Sequence, residues 1–230
     1  MSDSISRATA SKQDDADSAV TYHKKDLWKG ENANYSRPHY RLEKAARIVN
    51  RISAGKTVSL LDVGCGPAAL AGLLEPNIKY YGVDIAIHAQ APNLLEVDLM
   101  ESPIKFADNR FDIVIAQGFF EYAGEFQDQK FAEIAQVLRE DGTFIVSYVN
   151  FGHRDRFIYE LYNNVKPIAE FRASLARHFT VRKSFPTSHN WRHFEPNRKL
   201  VKAVNLHFNA NVPFVSPLLV VEYFFICSRR

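Results

Sequence analysis

Apolar positions between residues 57 and 150 follow two patterns in alternation. Near-continuous apolar runs at Thr57–Val63 (TVSLLDV) and Phe111–Ala116 (FDIVIA) predict strands buried on both faces of a parallel sheet. Tyr80–Asp84, Leu94–Val97 and Thr143–Val149 (TFIVSYV) predict further strands. Helical spacing separates them. Pro67–Leu74 reads as a short helix, and Gln129–Arg139 as a longer one, with Phe131, Ile134, Ala135 and Leu138 on one face and Asp141-Gly142 as its stop. Upstream, Leu42, Ala45, Ala46, Val49 and Ile52 predict a helix over Tyr40–Ile52. This order of elements points to an α/β domain with a mainly parallel, doubly wound sheet.

The pattern changes after Asn150. Arg154–Val165 and Ile168–His178 read as helices and Phe179–Phe185 as a strand. A long polar and aromatic stretch, Thr187–Pro217, follows, with a helix expected at Asn197–Phe208, and Leu218–Ser228 is a closing strand. Residues 1–20 are polar and aperiodic, the composition of a disordered tail. The expected organisation is that tail, an N-terminal lid and helix over 21–56, and one domain over 57–230. Insertions at about 151–167 and 187–217 are long enough to suggest a functional cover.

Composition narrows the class. Of 230 residues, 46% are hydrophobic and 24% charged, which excludes a fibrous or wholly disordered chain. Two cysteines, Cys65 and Cys227, make neither a disulfide framework nor a metal knuckle, so no metal is expected and a reducing, cytoplasmic setting is. The N-terminus lacks the apolar core of a secretory signal, and the apolar stretch Val212–Cys227 is interrupted by Pro213, Ser216, Pro217 and Glu222. Neither a membrane nor a nucleic-acid partner is expected, the net charge being only +3. Its distribution is uneven: +4 over residues 1–56, −9 over 57–150 and +8 over 151–230. A basic C-terminal third reads either as solvated surface or as a mouth for an anionic small molecule.

The chemistry is concentrated at Leu60–Ala69 (LLDVGCGPAA). A strand leads into Gly64 and Gly66, which let backbone N–H groups approach a ligand. Asp84, 20 residues after Gly64, ends the next strand, where a carboxylate can accept both hydroxyls of a ribose. Gly64-x-Gly66-x-x-Ala69 also fits a dinucleotide fingerprint. Asp62 favours the other reading, because it would repel a pyrophosphate but suits an ammonium. Asp98 could accept from an adenine amine.

With YYGVD, EVDL, SPIKFADNRFDIVIA, QGFFEY and FAEIAQVLREDGTFIVSYVN in order downstream, the segment from about Thr57 to Asn150 resembles the class I S-adenosylmethionine-dependent methyltransferases. The resemblance implies a Rossmann-like methyltransferase fold: a seven-stranded, mainly parallel sheet with helices on both faces and an antiparallel last strand, Leu218–Ser228, beside Thr143–Val149. It implies S-adenosylmethionine as cofactor. Asp62, Gly64, Cys65 and Gly66 would lie at its methionine end, Asp84 and Ile85 at the ribose, Asp98 and Leu99 at the adenine, and Gln117 near the sulfonium. The chain departs from the family at Ala68, where a third glycine is common, and at Glu121-Tyr122, where Glu-His is common.

The run AQGFFEYA lacks the Asn/Asp-Pro-Pro-aromatic signature of nucleobase amine methylation, so a small metabolite is the expected acceptor. The candidate bases are His153, Glu121 and Tyr122. Arg154, Arg156, Arg192, His189 and His193 are candidate substrate contacts and favour an acidic acceptor, methylated on oxygen or nitrogen. Tyr22, Trp28 and Tyr35 are candidate lid residues. Two alternatives stand beside this reading. One is an accessory cofactor-binding protein acting with a partner enzyme, because Asn150-Phe151-Gly152-His153 resembles a methionine-biosynthesis methyltransferase-like family. The other is an NAD-dependent oxidoreductase.

Overall fold

The computed structural model describes residues 28–29, 40–87, 90–106, 110–150, 166–194, 200–206, 209 and 219–230, with backbone alone for 190–194 and 200–206. A helix, α1 (Tyr40–Ser53), precedes β1 (Val58–Val63), β2 (Ile78–Asp84), β3 (Leu94–Glu96) and β4 (Phe111–Ala116). Then come α2 (Gln127–Val137), β5 (Leu138–Val149), α3 (Ile168–His178), β6 (Phe179–Phe194), β7 (Leu200–Leu206) and β8 (Val220–Arg229). One sheet holds all the strands in the order β3-β2-β1-β4-β5-β8-β6-β7. β1 to β5 pair in parallel, whereas β8 is antiparallel to both β5 and β6. The seven expected strands are therefore present with the last one reversed, and β7 adds an eighth at the edge beside β6.

The apolar runs are continuous because alternate residues enter two different cores. On one face, Leu60, Ile113, Ile145 and Phe224 pack with Ala45, Ala46 and Val49 of α1. On the other, Leu61, Val114, Phe144 and Phe225 pack with Phe131 of α2 and Phe171 and Leu175 of α3. This second core takes up much of the aromatic content. Phe120 stacks on Phe131 at 4.3 Å and Tyr148 on Phe171 at 3.8 Å between centroids. Within it lies a buried ion pair, Lys130 Nζ to Glu133 Oε2 at 2.9 Å. Lys130 also donates to Ser102 O, and Glu133 accepts the Ile104 N–H, so α2 anchors the loop that follows β3.

Four expectations are corrected. Pro67–Leu74 is a turn with a short 3-10 segment at Ala71–Leu73, since Gly66 and Ala68 adopt φ of 52° and 55°, outside the right-handed helical region. α2 stops at Val137 rather than Asp141-Gly142. Leu138 already pairs with Phe111, and the four residues up to Gly142 bulge out before Thr143 pairs with Ile113. A Cβ on Gly142 would meet Leu138 Cδ1 at 2.7 Å, so glycine allows Leu138 to fold over it. β6 runs on to Phe194, well past Phe185. The segment expected to be a helix at Asn197–Phe208 contains β7, because an exposed partner edge on β6 outweighs a helical spacing that Leu200, Val201, Val204 and Leu206 fit equally well as a strand. The expected helix at Arg154–Val165 lies outside the described residues, as does the tail at 1–20.

Candidate functional site

The sheet grows in one direction from β1 to β3 and in the other from β1 to β4 and β5. The carboxyl ends of β1 and β4 therefore diverge, and a crevice opens between them, the usual ligand position in an open α/β sheet. A cleft of about 270 Å³ occupies it.

The glycine turn forms its floor. The N–H groups of Gly64 and Cys65 both donate to Val83 O, at 2.9 and 3.2 Å, which ties the turn to β2. Gly64 has φ 75°, and a Cβ there would stand 3.2 Å from Phe119 Cβ. Ala68, where the family's third glycine falls, keeps a glycine-like φ of 55°, so the chain retains that conformation at a steric cost of about 1 kcal/mol. Cys65 is buried, its Sγ placed where Gly82 leaves room: a Cβ on Gly82 would approach it to 2.7 Å. Burial pushes the Cys65 thiol far above its usual value, which disfavours the thiolate.

Asp84 sits at the end of β2 with both oxygens engaged. Oδ2 accepts the Gly66 N–H at 2.8 Å and Oδ1 the Ala86 N–H at 2.9 Å. Burial raises its carboxyl, and these backbone donors hold the rise in check. Ile85, Asp98, Leu99 and Met100 continue this wall, and Asp98 Oδ1 accepts the Met100 N–H at 2.8 Å. Asp62 stands apart. It is buried in β1 and accepts from the Tyr80 hydroxyl at 2.8 Å, and it does not line the cleft. Burial, opposed by the Tyr80 bond and reinforced by Asp84, pushes its carboxyl up to about 7.

The opposite wall is built from distant parts of the chain. Gln117, Gly118, Phe119, Glu121 and Tyr122 follow β4, Val149 ends β5, and Arg41 and Leu42 come from α1. Gln117 Nε2 donates to Arg41 O at 3.4 Å, and Ser147 Oγ accepts the Gly118 N–H at 3.3 Å. Trp28 also lines the cleft, edge-on to Tyr122 with centroids 5.0 Å apart. Glu121 is 1% exposed; its Oε1 accepts the Val149 N–H at 2.9 Å. Glu121 Oε2 is buried with no hydrogen-bond partner among the described residues. Burial and then the charge of Glu222 push this carboxyl up to about 7, against the pull of its backbone donors and Arg41.

Behind this wall, Arg41 Nη1 meets Glu222 Oε1 at 3.1 Å, and the Thr187 hydroxyl donates to Glu222 Oε2 at 2.7 Å. Lys44 donates to Thr187 O and the Tyr40 hydroxyl to Ser188 Oγ, so α1 is laced to β6 and β8. Sequence reasoning missed Arg41 and Glu222. The signal for Glu222 was a lone charge in an otherwise apolar strand, VVEYFFICS; Arg41 offered none beyond its place beside an apolar helix stripe.

The structure thus brings Gly64, Cys65, Gly66, Asp84, Ile85, Asp98, Leu99, Gln117, Glu121 and Tyr122 to one cleft, and leaves others out. His189 is buried in β6 and does not line it. Arg192 and His193 are described by backbone only, in the β6–β7 pairing. His153, Arg154 and Arg156 lie outside the described residues, as do Arg198, Lys199, Tyr22 and Tyr35. Among the described residues no group of three or more His, Cys, Asp or Glu is placed to hold a metal ion, and no helix is long and apolar enough to cross a membrane.

Comparison with known proteins agrees with this geometry. Residues 61–146, from within β1 to within β5, match the model of a methyltransferase domain. A cyclopropane-fatty-acyl-phospholipid synthase of Escherichia coli is 24% identical over 111 residues, which cover 45% of this chain and 29% of the synthase. The chain therefore matches less than a third of that relative's length. Among solved structures, a TehB-like S-adenosylmethionine-dependent methyltransferase from Corynebacterium glutamicum superimposes with a TM-score of 0.56 at 15% identity, covering 87% of this chain and 99% of that one. A 1,6-didemethyltoxoflavin N1-methyltransferase from Burkholderia thailandensis, solved with its substrate and S-adenosylhomocysteine, gives 0.51 at 16%, covering 82% and 78%. At these identities the solved structures speak to the fold. The family match thus places a methyltransferase domain over residues 61–146, which supply most of the cleft, in a fold shared with S-adenosylmethionine-dependent methyltransferases.

Proposed function

We propose that this chain transfers the methyl group of S-adenosylmethionine to a nitrogen or oxygen atom of a small molecule. The observation that carries the reading is the pairing of the glycine turn with Asp84. Positive φ at Gly64 and Gly66 clears side chains from the cleft floor, while a carboxylate prearranged by two backbone donors faces the same space. These residues fit the cofactor. Gly64 and Gly66 would let its methionine end lie against the backbone, Asp84 would accept from its ribose hydroxyls, and Asp98 with the Leu99 backbone would take the adenine. When bound, the cofactor supplies a methyl carbon made electrophilic by its sulfonium.

The chain's own contribution is position and dryness. Gln117, Gly118, Phe119, Glu121, Tyr122 and Val149 bound the side of the cleft towards which the acceptor would enter, with Trp28, Arg41 and Leu42 also lining it. Holding two reactants in line in such a site removes much of the entropic part of the barrier. Calorimetric titration tests the reading. S-adenosylmethionine and S-adenosylhomocysteine are expected to bind saturably and NAD not to. Saturable NAD binding without S-adenosylhomocysteine binding would discard the proposal.

A further inference from the structure

Glu121 is the least satisfied group in the cleft. Its Oε1 is held by the Val149 N–H, which fixes the carboxyl; Oε2 is buried with no partner among the described residues, in a residue that lines the cleft. Buried polar atoms are almost always hydrogen-bonded, and one left bare costs the full desolvation of the group. A bare acceptor on a cleft wall is therefore an acceptor waiting for a ligand donor.

The surroundings specify the donor. Among the described residues, the charged groups facing Glu121 are Arg41 from α1 and Glu222 from β8. Arg41 is matched by Glu222 in a salt bridge, and Glu222 also takes the Thr187 hydroxyl. Lys44, the next cation along α1, is bonded to Thr187 O and Asn209. Among the described residues no cation is paired directly with Glu121, so its ionised form has no counterion at Oε2. An anionic acceptor would be repelled there. A hydroxyl would satisfy the lone pair but leave the charge, whereas an ammonium satisfies both. Tyr122, Trp28 and Phe119 on the same wall add aromatic surface that attracts an alkylammonium and rejects a carboxylate.

Resting on the methyl-transfer reading, we propose that Glu121 Oε2 binds the acceptor nitrogen directly, and that the acceptor is a small primary or secondary amine that docks as its ammonium. In a water-poor cleft the ammonium–carboxylate pair readily becomes an amine and a carboxylic acid, because both ions lose solvation. The proton passes from nitrogen to Oε2. The freed lone pair forms the N–CH3 bond while the S–CH3 bond breaks and its electron pair stays on sulfur. The products are the methylated ammonium, S-adenosylhomocysteine and protonated Glu121, which returns its proton to water.

The test uses full-length protein saturated with S-adenosylhomocysteine and matched probes: butylamine, butanol and butyrate, then phenethylamine, phenethyl alcohol and phenylpropionate. Calorimetry is expected to show binding by at least one amine and not by the matched alcohol or acid. Glu121→Gln, which keeps the shape, should weaken amine binding by at least about tenfold while S-adenosylhomocysteine affinity holds. In the wild type, amine affinity should fall as pH drops below about 7, where Glu121 takes its proton, and this dependence should vanish in Glu121→Gln. Absence of amine binding, equal amine binding by Glu121→Gln, or a preference for alcohol or acid overturns the proposal. Failure of the wild type to bind S-adenosylhomocysteine would instead overturn the methyl-transfer reading on which it rests.

Discussion

Two of the carboxylates that line this cleft, Asp84 and Glu121, stand on opposite sides of its topological switch and are held differently. Asp84, at the end of β2, has a backbone N–H on each oxygen. Glu121, past β4, has one oxygen on the Val149 N–H and the other bare. A carboxylate fixed at both oxygens is a prearranged acceptor whose geometry does not depend on what binds. One fixed at a single oxygen is oriented but unsatisfied, and its proton is free to respond to the ligand. The first arrangement suits a cofactor common to a whole family; the second suits a variable acceptor and proton transfer. The walls behind them differ in the same way. Strand ends and a glycine turn close in sequence make the wall proposed for the cofactor. The wall proposed for the acceptor needs Arg41 and Glu222, 181 residues apart, to meet.

The largest effect that could break this comparison is on the cofactor wall. Gly66→Val is expected to abolish S-adenosylhomocysteine binding, because a β-branched residue at φ 52° is strained and its side chain would enter the cleft floor. Far-UV circular dichroism should show the sheet retained, and normal binding by calorimetry would reduce the glycine turn to a connection. Next is the acceptor wall's foundation. Arg41→Met leaves Glu222 charged and buried, which should cost about 3 kcal/mol of stability in urea denaturation. Adding Glu222→Gln should recover part of that loss, and no recovery would mean that the pair does not act as a unit.

Asp84→Ala should weaken S-adenosylhomocysteine binding by about 2 kcal/mol, the scale of hydrogen bonds to a charged group. Because Asp84 also holds the Gly66 N–H, a small loss of stability should accompany it, and Asp84→Asn should recover part of both. The smallest expected effect is on pH. Glu121 has its carboxyl raised from 4.5 to about 7 and Asp62 from 3.8 to about 7 in the folded protein. The folded state therefore binds more protons than the unfolded state across that interval. Their contribution is complete below about pH 4 and is lost as pH rises through about 7. Glu121→Gln should flatten the fall in midpoint temperature between about pH 5 and pH 8; an unchanged slope would show that Glu121 is already ionised across it.

The same contrast explains what the sequence made legible. Gly64, Gly66, Asp84, Asp98 and Gln117 each stand at or just past the carboxyl end of a parallel strand, so strand pattern plus the punctuation after it places them. Asp62 was legible as a feature but not in direction: one step inside the strand, it faces Tyr80 instead of the cleft. The segment at Asn197–Phe208 was misread because its apolar spacing suits helix and strand alike, and the available edge of β6 decides between them. The Arg41–Glu222 pair has no local signature at all. It exists only because reversed β8 brings residue 222 opposite Val149, at the end of β5. Glu121 was legible as a candidate base from its place after the fourth strand, but its bare oxygen is a property of packing.

The most direct test of the central claim is a calorimetric titration of S-adenosylhomocysteine into the wild type, Asp84→Ala and Glu121→Gln under one set of conditions. This ligand is chosen because it lacks the sulfonium charge that Glu121 could feel. The account predicts saturable binding by the wild type, about 2 kcal/mol weaker binding by Asp84→Ala, and near wild-type binding by Glu121→Gln. No binding by the wild type, or equal losses in the two variants, would contradict it.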